Sequence, residues 1–122
     1  MNTTLSKFGA NSTHQVKSVN SIRVASVQFQ HAPGDKEANI GVIRRFVQKA
    51  SKQNIQIILF PECCISGYWH LRTLSRDELI ELAELVFDGS SSQELKEMAQ
   101  STGMTISAGL VEMADDGSLF NT

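Results

Sequence analysis

Glu62, Cys63, Cys64 and His70 lie close together in the chain and offer a carboxylate, two thiols and an imidazole. A free thiol titrates near 8.5, so at neutral pH its attack on a carbon centre needs a proton acceptor within reach. A carboxylate at the rim of a packed sheet loses solvation, which raises its pKa toward the working range and improves it as a base. Its protonated form can later hand a proton to a departing amine. Glu62 is the first candidate for this role; the contrary reading is a solvated glutamate after a strand, since glutamate is usually exposed. Cys63 and Cys64 are disfavoured as nucleophiles. Adjacent extended residues point to opposite faces, no motif lowers either thiol's pKa, and both read as packing beside the site. A zinc site from Cys63, Cys64 and His70 matches no ligand spacing and lacks a fourth ligand, so no metal is expected. His31 and His70 read as loop residues, and His14 lies in the N-terminal stretch.

The elements that must position Glu62 are legible on either side of it. Residues 55–60 form an apolar, β-branched run, the pattern of a strand buried on both faces of a parallel sheet. Pro61 lacks the N–H a central ladder needs, so the strand ends there and Glu62 falls just past its carboxyl end, the edge where open α/β sheets bind ligands. Residues 22–29 read as a first strand, with Ile22, Val24 and Ser26 on one face and Val27 and Phe29 on the other. Turn chemistry at residues 31–35 makes Asp35 a helix N-cap. The helix runs to about Lys52, with Val42, Ile43, Phe46, Val47 and Ala50 as its apolar stripe and Lys36, Arg44, Lys49 and Lys52 opposite. Strand, helix and strand make a βαβ unit with parallel strands.

After a loop over residues 63–73, Ser75 and Glu78 have capping-box spacing and open a helix to about Phe87 that buries Leu79, Leu82, Ala83 and Val86. Asp88-Gly89 breaks it. Ser91 and Glu94 repeat the spacing for a helix through Leu95, Met98 and Ala99 that ends at Gly103. Residues 104–112 alternate as a third strand, Asp115-Asp116-Gly117 signals a hairpin, and a fourth strand starts at Ser118. That strand has barely begun by Thr122, which suggests an incomplete domain.

Composition limits the functional classes. With 41% apolar and 20% charged residues and a net charge of −2 over 122 residues, the chain is an ordinary globular α/β sequence with no electrostatic case for nucleic acid or anionic membrane. No run has the roughly 18 apolar residues of a membrane span, and no secretion signal opens the chain. Two adjacent cysteines cannot close a stapling loop, so they read as thiols in a reducing, cytoplasmic setting. Residues 1–20, rich in Ser, Thr and Asn, read as a flexible leader. Isolated glycines form no phosphate loop, so no nucleotide cofactor is implied.

The ordered set Val27-Gln28-Phe29, Gly34-Asp35, Asn39, Leu59-Phe60-Pro61-Glu62, Gly67-Tyr68, Gly109-Leu110-Val111-Glu112 and Leu119-Phe120-Asn121-Thr122 resembles the start of the carbon–nitrogen hydrolase (nitrilase) superfamily. The resemblance covers residues 22–122 and implies the N-terminal portion of an α-β-β-α sandwich. It further implies an enzyme acting on a small amide, N-carbamoyl or nitrile substrate, without cofactor, by a glutamate, lysine and cysteine. Glu62 matches the glutamate; the lysine and cysteine belong to a region downstream of the match, so the chain alone is expected to be inactive. Family analogy puts Tyr68 near the substrate, although Tyr68 and Trp69 read equally as anchors of the loop on the core. Arg72 reads as a partner for a substrate carboxylate or as a solvated side chain. The family commonly forms dimers and larger assemblies. A non-enzymatic α/β binding or regulatory domain is the alternative.

Overall fold

The computed structural model describes residues 21–122, and the leader expected over residues 1–20 lies outside them. The chain folds as an α/β unit in which strands β1 (Val24–Ser26), β2 (Ile57–Leu59) and β3 (Thr105–Ser107) form a parallel sheet in the order β1-β2-β3. Residues Val24, Ile57 and Thr105 stand in register, as do Ala25, Ile58 and Ile106. β2, which leads to Glu62, is therefore the central strand.

Helix α1 (Lys36–Ser51) starts where the sequence places it, with the Asp35 side chain accepting from the Ala38 N–H. Its buried stripe is Ile40, Ile43, Val47 and Ala50, joined by Asn39; Val42 is only half-buried. With α4 (Ser90–Thr102), α1 covers one sheet face, where Val27, Ile58, Phe60, Met98 and Met104 close the core and Ala25 and Ile106 pack against it. Phe60 meets both Phe29 and Phe46 edge-on, the arrangement aromatic quadrupoles favour.

The other sheet face corrects the expectation of a strand buried on both sides. Ile57 is half-buried, and Val24 and Leu59 are 52% and 40% exposed, so only the alternate residues of each strand are covered. A fully apolar β-run carries no mark of which layer covers each face, and within residues 21–122 only one face has helices on it.

β1 and β2 are each three residues long, shorter than the expected 22–29 and 55–60, and three further boundaries differ from expectation. The capping box at Ser75 and Glu78 is present, but α3 (Arg76–Leu82) ends five residues early and buries no residue fully. Beyond it Glu84 forms an isolated bridge to Glu112, its N–H donating to the Val111 carbonyl, which draws the chain out of the helix. α4 is capped by Gly89 rather than by Ser91; the Ser91 N–H and hydroxyl both donate to the Glu84 carboxylate. The single strand expected over residues 104–112 is divided at residues 108–110 into β3 and β4 (Val111–Met113), and β4 turns away to pair antiparallel with β5 (Leu119–Asn121).

Candidate active site

Pro61 ends β2 and residues 61–67 turn tightly, which leaves Glu62 exposed and buries the following five residues, 63–67. Cys63 holds φ of +46°, a left-handed conformation that costs a non-glycine residue about 1–2 kcal/mol and persists only where its surroundings fix it.

Those surroundings come from three elements. Asn39, on the first turns of α1, accepts from the Ala32 N–H at 2.7 Å and donates to the carbonyls of Ala32 at 2.8 Å and Ile65 at 2.9 Å. One buried amide thus ties the loop after β1 to the loop after β2. Gly67, at φ +91°, lies against residues 32–34, and the Gly34 N–H donates to the Ser66 carbonyl. From the other side, a Cβ at Gly109 would stand 2.5 Å from the Cys63 nitrogen, so the absence of a side chain lets the β3–β4 connection seat directly under the Glu62–Cys63 peptide. The Ile65 N–H donates to the Gly109 carbonyl, and the Val111 N–H donates to the Ser66 hydroxyl at 3.0 Å.

Glu62 faces an open groove of about 370 Å³ shared with Tyr68, Leu71, Arg72, Leu79, Phe120 and Asn121. The Asn121 side-chain amide donates to the Glu62 carboxylate, and its oxygen accepts from the Cys63 thiol at 2.9 Å. Tyr68 opens the short helix α2 (Tyr68–Leu71) and meets Trp69 edge-on; the Arg72 guanidinium lies 5.4 Å from the centre of the Trp69 ring. Trp69, His31 and His70 line a neighbouring cavity of about 660 Å³ on the far side of Pro61. The burial expected for Glu62 at the sheet rim is not supplied by residues 21–122, in which its side chain is exposed.

Cys63 and Cys64 are both buried. They lie in the turn rather than in the extended chain that the sequence predicts. Burial pushes the Cys63 thiol up, and the neighbouring Glu62 and Cys64 add to it. Burial also raises Cys64 against backbone hydrogen bonds from Gly109 and Ile65. Both shifts oppose thiolate formation, the reverse of what activates a nucleophile. Among the described residues no group of three metal-binding side chains converges.

A model of the carbon–nitrogen hydrolase family matches residues 23–122. The chain belongs to the carbon–nitrogen hydrolase family. Among relatives, it is 30% identical over 95 residues to a nitrilase of Pyrococcus abyssi, covering 78% of this chain and 35% of that one. It is 32% identical over 100 residues to the omega-amidase NIT2 of Danio rerio, covering 82% and 33%. This carbon–nitrogen hydrolase chain thus spans about a third of the length of those relatives. Its fold is similar to Saccharomyces cerevisiae Nit3, a nitrilase-superfamily member, with a TM-score of 0.66 at 23% identity over 82% of this chain and 37% of that one. No described helix is long and apolar enough to cross a membrane.

Sequence reasoning missed the two asparagines that hold the turn. Asn39 and Asn121 entered it only as letters of family motifs, because a buried amide bridging two loops leaves no periodic signal. Gly109 was detectable as an isolated glycine in a strand pattern, which marks a close backbone approach.

Proposed function

We propose that residues 22–122 form the opening part of a hydrolase that cleaves non-peptide carbon–nitrogen bonds in small amides, N-carbamoyl compounds or nitriles, with Glu62 as its general base. One observation carries the reading: Glu62 stands just past the carboxyl end of the central strand, facing a groove, in a chain matched by the family model along nearly all its described length. In this reading Glu62 takes the proton of a cysteine thiol supplied from beyond residue 122, and the thiolate attacks the substrate carbon. A lysine, also from beyond residue 122, stabilises the charge that develops on the substrate heteroatom, and such electrostatic stabilisation is usually the largest share of catalysis. The protonated Glu62 then gives its proton to departing ammonia or amine, for a nitrile only after a first water has added to the thioimidate, and a further water hydrolyses the thioester with the carboxylate again as base. Tyr68 lines the groove beside Glu62 and serves as a substrate-facing wall.

The 122-residue chain alone is expected to release no ammonia, since its only thiols are the buried Cys63 and Cys64. Both thiols are free, in keeping with a cytoplasmic protein. The test is ammonia release by the protein extended through its downstream coding sequence, offered an aliphatic amide, an N-carbamoyl amino acid and an aliphatic nitrile. Glu62→Gln should lower kcat by about 10³-fold or more on whichever is turned over, because covalent catalysis cannot start without the base. Undiminished turnover by that variant would refute the assignment.

A further inference from the structure

We propose that Asn121 is a positioning residue that aims the Glu62 carboxylate into the groove, an inference that rests on Glu62 being the general base. The groups around the amide fix its orientation. An ionised carboxylate can only accept, so the Asn121 NH₂ must face Glu62; the amide oxygen is then left for Cys63, whose thiol can donate. One side chain is thus held from both ends, by the acid it aims and by the residue that follows that acid.

Its backbone is as firmly placed. Leu110 and Thr122 exchange both N–H···O bonds, at 2.9 and 3.1 Å, which sets Asn121 opposite Val111 in a non-hydrogen-bonded pair with the two side chains on one face. Val111 is buried and anchored through its N–H to Ser66 in the same turn that carries Glu62. The hairpin therefore delivers the amide to the turn in fixed register. Glu62 itself is exposed, and no other described side chain donates a hydrogen bond to it. Without Asn121 no described side chain would hold the carboxylate by a hydrogen bond, and misplacement of a reacting group by about 1 Å costs on the order of 10²-fold in rate.

Asn121→Asp separates positioning from mere structure. Aspartate keeps the shape and the acceptor for Cys63 but replaces the donor with a second carboxylate. In the full-length enzyme, on the substrate it turns over best, Asn121→Asp and Asn121→Leu should each lower kcat by about 30–100-fold near neutral pH with KM within about threefold. Asn121→Asp should recover as the pH is lowered and the introduced acid regains a proton to donate; Asn121→Leu should not. Wild-type kcat in Asn121→Asp at every pH overturns the proposal. If Glu62→Gln is inactive in that experiment, the general-base reading survives and only the positioning role falls; if Glu62→Gln is fully active, both fall. Independently of turnover, the side-chain amide resonances of Asn121 in the ¹⁵N NMR spectrum of the folded protein should shift on Glu62→Leu. No response there overturns the contact itself.

Discussion

Asn39 does at the level of one side chain what a disulfide or metal does in other small domains, by joining two loops through three hydrogen bonds from a buried position. Asn39→Ala removes every partner at once and leaves the Ile65 carbonyl buried without a donor. Each unsatisfied buried group costs about 1–3 kcal/mol, so a loss of about 2–5 kcal/mol is expected as a lower urea midpoint at unchanged slope. Asn39→Asp should be no better, because a carboxylate cannot donate to two carbonyls and would be charged inside the fold. A loss below 0.5 kcal/mol, within the usual range of surface substitutions, would show that solvent can replace these bonds. At this scale the sequence was only partly readable. Glu62 could be placed because a proline after an apolar run is a strong stop signal, whereas the asparagines that hold its turn act between segments distant in the chain.

Among the elements, α4 shows the same limit from another side. Its existence and its end at Gly103, which adopts the left-handed conformation, follow from local pattern, but its N-terminal partner is Glu84, from outside the helix. Glu84 is buried and paired with Lys36 at 2.8 Å, so a residue read only as lying opposite the apolar stripe of α1 is a structural cation, and Arg44 on that face pairs with Glu94. Burial alone would raise the Glu84 pKa; Lys36 and the two Ser91 donors overcome it and hold the carboxyl below its ordinary value. A carboxylate with a depressed folded pKa stabilises fully above its unfolded value, about 4.3, and loses that contribution as the pH falls through the folded value. Lys36→Met should therefore cost about 2–4 kcal/mol at neutral pH, below the figure for a wholly buried pair because Lys36 reaches solvent. The gap to wild type should narrow on acidification below pH 4. A gap that stays constant from neutral to acid in urea titrations would exclude this linkage. The division of β3 from β4 was hidden for a comparable reason: alternation continues through residues 104–112, while the change of sheet at Gly109 is dictated by its seat beneath the Cys63 nitrogen.

For the whole molecule the deciding feature is the uneven covering of the parallel sheet. One face carries two helices and the core; the other presents Val24 and Leu59 beside Ser26, Thr105 and Ser107. An exposed apolar sheet surface favours association. The isolated 122-residue chain should therefore elute larger than a monomer at micromolar concentration, and Leu59→Thr should shift it toward monomer without lowering its thermal midpoint. A sharp, cooperative melt of a wild-type monomer would count against this. The α/β class, the parallel pairing of β1 with β2 and the central place of the strand before Glu62 could be read from residue patterns, but the parallel seat of β3 and which sheet face is left uncovered by residues 21–122 could not, since β-branched runs look alike under helices and under a second sheet.

The contact between Asn121 and Glu62 spans 59 positions. As the polypeptide leaves the ribosome, the acid emerges early, together with the strand that carries it. The amide that steers it arrives only after three helices and the first strand of the hairpin have been made. The acid is thus made well before the side chain that aligns it, and any interruption of synthesis before Asn121 would leave that acid with nothing to direct it.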